Sequence, residues 1–177
     1  PRHLSPRALD RGLRASGRFV GGCAKLFQAW ASSMVRTTNT LPEFDAAVAK
    51  AAGGDPNIVY YHSYWRLERD EALVIDVVPP ACDYWNFQLN NHWMESLDYR
   101  YHRIHVNKHT ATYRADGGGT MVLAHRDPGV DNWLDTAGHR LGTLCFRWIG
   151  AKEIVHPTCR VVKLKDLKGG RGWQCTG

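Results

Sequence analysis

Apolar and polar positions follow two different rhythms along the 177 residues. From Ser5 to about residue 36 the spacing is helical. Ser5 is a good capping residue, and Pro6 suits the first helical position. Beyond them Leu9, Leu13, Val20, Ala24, Phe27 and Ala31 fall near one side of a helix at about 100° per residue, with Arg7, Arg11, Arg14 and Arg18 on the other. Gly12, Gly17, Gly21 and Gly22 weaken such a helix by about 1 kcal/mol each relative to alanine. It is therefore expected to lean on the rest of the chain with its arginines in water; contact with a membrane surface or an acidic partner is the alternative. A second short helix is predicted over residues 40–52, TLPEFDAAVAKAA, with Thr40 as its cap and Glu43 at capping-box spacing.

From residue 57 the period becomes two. Strands are predicted at 57–67, at 71–78 (stopped by Pro79 and Pro80), at 84–93, over YHRIHVN and HTATYRA, at 120–126, at 143–149 and at 160–164. Asn107 and Lys108 suggest a tight turn, and ADGGGT suggests a hairpin that pairs 120–126 back on the strand before it. DPGVDNWLDTAGHRLG reads as a loop. About eight short strands after one or two helices predict a mainly β fold, a jelly-roll-like antiparallel β-sandwich. The organisation is a helical segment at 1–56, a sandwich at 57–165 and a loose Gly-rich tail at 166–177.

The stretch YWNFQLNNHWMESLDYR, residues 84–100, alternates with unusual partners. Trp85, Phe87, Leu89, Asn91 and Trp93 share one face, and Asn86, Gln88, Asn90 and His92 the other. Leu144, Phe146 and Trp148 alternate likewise with Thr143, Cys145 and Arg147. Large aromatics belong between two sheets. Asn86, Gln88, Asn90, His92 and Arg147 would then share an outer face. Amides both donate and accept, so such a row can orient a neutral or weakly anionic small molecule. Alternatively the face is simply solvated, or its amides satisfy the backbone of a covering segment such as the N-terminal helix.

Charge and cysteine content narrow the function. Residues 1–36 hold seven Lys or Arg against Asp10 alone, which accounts for the whole net charge of +6. The remaining residues balance, so the body does not have the composition of a nucleic-acid binder. No apolar run approaches the roughly 18 residues of a membrane span. The five cysteines are scattered, without a CxxC pair, which argues against a disulfide framework or structural zinc and for a reducing cytoplasm. The basic, glycine-broken start is not a secretory signal, and Pro1 in place of Met suggests an internal point of a longer product or a trimmed end.

The long motifs resemble the bacterial family called domain of unknown function 1214. The resemblance rests on residues 84–100, on VNKHTATYRADGGGTMVLAHRDPGVDNWLDTAGHRLGTLCFRW and on RVVKL, and spans roughly residues 57–165. Asn132, Trp133, Leu134, Arg147 and Trp148 occupy its most specific segments. The resemblance implies a jelly-roll sandwich, often preceded by further sequence, and implies no activity.

Other residues could carry acid–base chemistry. His125 and Asp127 lie together at a strand end, and Asp135 and His139 would meet on one helical turn. The plainer reading makes Asp127 a turn former and Asp135 a cap. Glu95 and Asp98 are expected to be solvated or paired with arginine. His105 and His109 would lie about 13 Å apart on a strand, too far for one metal ion. No cofactor, phosphate loop or nucleophile elbow is indicated. Cys145 reads as wall or core. The leading expectation is a small-molecule binding module with His125, Asp127, Asp135 and His139 at the rim of its cleft. The alternatives are a hydrolase- or lyase-like enzyme using a His–Asp pair, and an assembly domain packing against copies or a partner.

Overall fold

A computed structural model describes residues 5–167; the tail expected to be loose falls largely on residues 168–177, outside the described residues. The chain forms a helix, α1 (Pro6–Met34), then a 3-10 turn, a short helix, α2 (Ala46–Ala51), and eight strands. The strands are β1 (Ile58–Arg66), β2 (Glu71–Val77), β3 (Tyr84–Asn90), β4 (His105–Asn107), β5 (Gly119–Ala124), β6 (Trp133–Asp135), β7 (Leu141–Ile149) and β8 (Thr158–Lys163). They make two four-stranded sheets, in the orders β1-β7-β3-β4 and β6-β5-β2-β8. All pairs are antiparallel except β5 with β6. The expected mainly β sandwich with N-terminal helices is the fold observed.

Alternation decides which face of each strand meets the other sheet. Tyr61, Trp65, Trp85, Phe87, Leu89, Leu144, Phe146 and Trp148 turn inward from the first sheet, meeting Leu73, Ile75, Met121, Leu123 and Leu134 from the second. Phe146, fully buried, is the hub: its ring centre lies 4.5 Å from that of Trp148, 5.8 Å from Trp85, 5.9 Å from Tyr61 and 6.2 Å from Phe87. These contacts are edge-on, tilted or offset, the arrangements favoured by ring quadrupoles. A smaller apolar cluster of Ala72, Val74, Val122 and Ala124 covers the far side of the second sheet, under Leu164 and Leu167.

Several local expectations are corrected, most of them where a side chain competes with regular pairing. The Ser5 hydroxyl caps α1 through the Ala8 amide at 3.3 Å, as expected. However, only the C-terminal end of α1 packs on the body. Its only buried residues are Ala31 and Met34, and Leu13, Phe19 and Val20 are 65–71% exposed. The second helix starts later than expected because Asp45, not Thr40, caps it, accepting from Ala47 and Val48 at 2.7 and 3.0 Å. Glu43 instead bridges to Tyr61 beside the edge of β1.

Strand β3 ends at Asn90. The Asn91 carboxamide oxygen accepts the amides of Trp93 and Glu95 at 2.9 and 3.1 Å, and Met94 turns the chain at φ +63°. Asn107 stops β4 in the same way through His109 and Thr110. HTATYRA is therefore not a strand. Gly117, at φ +78°, does shape a turn, but β5 pairs with β2 rather than back on the preceding segment. The buried Asn132 amide substitutes for that missing strand, bonding Thr112 through both its N–H and C=O and also the Thr120 carbonyl. The expected loop after it contains β6.

Phe146→Ala is expected to cost about 3–5 kcal/mol, the usual range for a buried aromatic. Gly142→Ala should also destabilise, because a Cβ there would overlap the Asn90 carbonyl oxygen and crowd the Trp65 indole nitrogen. Urea unfolding monitored by tryptophan fluorescence checks both; a loss below 1 kcal/mol for Phe146→Ala contradicts its role as hub.

Candidate functional site

The outer face of the first sheet carries the residues that the inward aromatics leave over. Register sets them in three rows across the sheet. Tyr60, Arg147, Asn86 and Asn107 form one; His62, Cys145, Gln88 and His105 the next; Tyr64, Thr143 and Asn90 the third. The predicted Asn86, Gln88, Asn90 and Arg147 are thus brought together, all buried or half-buried. Gln88 donates to the Asn90 side-chain oxygen at 2.7 Å. Among the described residues, the Asn86 amide and the Arg147 guanidinium make no side-chain hydrogen bond, and Arg147 has no carboxylate within ion-pair reach. Its guanidinium carbon stands 5.9 Å from the Tyr60 ring centre. His92 is off the strand, in the turn after β3, and its Nδ1 lies 2.9 Å from the Tyr64 hydroxyl.

Next to this face is an apolar cleft of about 390 Å³, lined by Trp30 and Met34 of α1, Phe44, Val48 of α2, Met94, and by Tyr60 and His62 on the sheet. Each wall follows from a local cause. The last turn of α1 is the part that packs, which places Trp30 and Met34. Phe44 is fixed by its backbone amide donating to the Tyr60 carbonyl at 2.7 Å, and Met94 is held in its turn by Asn91. His62 packs edge-on to Phe44 at 5.3 Å and stacks on Tyr60 at 5.8 Å. Neither of its ring nitrogens has a hydrogen-bond partner among the described residues. Burial, helped by the Arg147 charge, lowers its pKa to about 4, so at neutral pH it offers one donor and one acceptor without charge. Burial pushes the Cys145 thiol up to about 11. That makes it a wall, as expected, and not a thiolate nucleophile.

The rim residues are dispersed into separate local roles. His125 lies with Nδ1 2.8 Å from the Thr136 hydroxyl and Nε2 3.1 Å from the Leu67 carbonyl. Asp127 accepts the Gly129 amide at 2.7 Å, so the proposed His125–Asp127 pair is replaced by these bonds. The expected partner of Asp135 was His139, but Asp135 takes Nδ1 of His102 at 2.7 Å and the Ala137 amide at 2.9 Å. Residues 133–135 are a strand, not a helical turn, which moves His139 out of reach. In the His102–Asp135 pair the carboxylate orients an imidazole whose Nε2 could exchange a proton. Glu95 accepts from Asn91 and Asp98 pairs with Arg100, both as local partners. No group of three metal-binding side chains occurs among the described residues.

With this geometry in view, comparison with known proteins finds likenesses to solved structures. The chain is similar to the crystal structure of an uncharacterised protein from Burkholderia cenocepacia, at 57% identity and a TM-score of 0.88. The match covers 93% of this chain and 46% of that one, so the chain spans about half of that protein's length. A fainter likeness is to the VPA0106 protein of Vibrio parahaemolyticus, at 15% identity and a TM-score of 0.47, covering 92% of this chain and 47% of that one. No family model and no curated protein matches. Among the described residues no helix is long and apolar enough to cross a membrane.

The buried neutral His62 predicts a pH effect with a definite sign. Its folded pKa lies below the ordinary 6.5, so protons favour the unfolded chain. Stability is full above pH 6.5 and falls as pH drops from 6.5 towards 4, by roughly 2–4 kcal/mol in all. Urea melts at pH 7.0, 6.0 and 5.0 should show the decline for the wild type and a flatter profile for His62→Gln. Identical slopes for the two proteins contradict the assignment.

Proposed function

We propose that this domain binds a small molecule with an apolar body and a weakly anionic head, such as a carboxylic acid. The apolar body occupies the cleft between α1, α2 and Met94, and the head turns towards Arg147, Asn86 and His62. The observation that carries this reading is Arg147: a half-buried cation without a carboxylate partner among the described residues, standing over Tyr60 at the border of an apolar cleft. A cleft of this size lies within the range that small ligands use. Charge-assisted hydrogen bonds are the strongest that such a site can offer. The uncharged His62 adds a donor and an acceptor without repelling an anion's counter-charge.

The long motifs support placing the domain in the family called domain of unknown function 1214. Those segments supply β3, β7 and the Asn132 network, and β3 and β7 build the hub and the outer rows together with β1. The four described cysteines are unpaired, which supports a reducing compartment such as the cytoplasm.

Thermal-shift titration with decanoate and with decanol tests the ligand class. At a hundred times its dissociation constant a ligand adds about 2.7 kcal/mol, which raises Tm by several degrees in a domain of this size. Decanoate should stabilise more than decanol, Arg147→Gln should erase that difference, and Phe44→Ala should weaken both. A panel of short- and medium-chain acids that leaves Tm unmoved, or a shift that Arg147→Gln preserves, contradicts the proposal.

A further inference from the structure

Among the described residues, little covers one face of the N-terminal part of α1, whose lower end borders Trp93 and Met94. Leu9, Leu13, Val20 and Phe27 lie along one side and are 42–67% exposed, a strip about 27 Å long at 1.5 Å per residue. The opposite side carries Arg7, Arg11, Arg14, Arg18 and Lys25. An isolated helix with four interior glycines is a poor one, because helices in proteins draw most of their stability from packing an apolar face. Small residues lie beside the large ones on that face: Ser16, Gly17, Cys23 and Ala24 sit between Leu13 and Phe27. Such relief suits the ridges of another protein surface.

The Burkholderia protein points to the occupant. A match over 93% of this chain cannot omit most of the 29 residues of α1. Yet 46% coverage leaves the larger part of that protein outside the match. We propose that the apolar face of α1 is an interaction surface for a folded unit equivalent to that unmatched part, with the arginine face left in water. The inference stands apart from the ligand reading, since it uses the helix upstream of Trp30.

Hydrogen exchange on two intact proteins tests it: the 177-residue chain and the full-length Burkholderia protein. Amides between Leu9 and Phe27 should exchange fast in the 177-residue chain and at least a hundredfold slower in the aligned helix of the longer protein. As a second readout, Leu13→Asp with Val20→Asp should leave the Tm of the 177-residue chain unchanged, and the aligned changes should lower that of the longer protein by several degrees. Equal exchange in the two proteins overturns the proposal. So does doubling of the 177-residue chain's mass with concentration-dependent protection of α1, which assigns the face to a second copy. Co-sedimentation with phosphatidylglycerol vesicles that is lost in the double variant overturns it too, in favour of a lipid surface.

Discussion

The packing of Phe146 against Trp85, Trp148, Tyr61 and Phe87 is the contact on which the rest depends. It joins three adjacent strands of one sheet by their largest side chains. A one-residue slip of any of these strands would turn its aromatics to the outside, so the register of β1, β7 and β3 is fixed together. Once it is fixed, every second residue must face outward. Tyr60, His62, Cys145, Arg147, Asn86 and Gln88 are gathered on one surface because the aromatics that alternate with them cannot be anywhere but inside.

The same constraint explains what could be read from the sequence and what could not. Strict alternation placed Asn86, Gln88, Asn90 and Arg147 on one face, and the register bears that out. The Ser5–Pro6 helix start and the limits of β1, β2, β7 and β8 were legible within a few residues for the same reason. Elements ended by a side-chain amide were not. Asn91, Asn107 and Asn132 each replace a backbone partner, and propensity does not reveal when an asparagine will do so. His62 shares the alternation of β1 with Tyr60, but nothing local says that β1 lies next to β7, so its place beside Arg147 stayed hidden. The cleft walls Trp30, Met34, Phe44 and Met94 come from four separate segments and are joined by tertiary packing alone. The pairing of Asp135 with His102 was missed because three residues of strand were read as a helical turn.

Two surfaces are therefore distinguished by physics. One is a half-buried polar sheet face with an apolar cleft at its margin, where burial holds His62 neutral and Arg147 has no carboxylate partner among the described residues. The other is a helix whose apolar side is open along most of its length. The first sets an apolar cleft beside a cation and uncharged amides. The second is a long strip of exposed apolar side chains.

The most direct test of the cleft is a methyl spectrum of the protein labelled with 13C-methyl methionine. The sequence has three methionines. Met34 and Met94 line the cleft, and Met121 lies in the inner core between the sheets. On titration with decanoate, the Met34 and Met94 signals should move together and saturate while Met121 stays in place. Signals that do not move, or a shift confined to Met121, would contradict a ligand in this cleft.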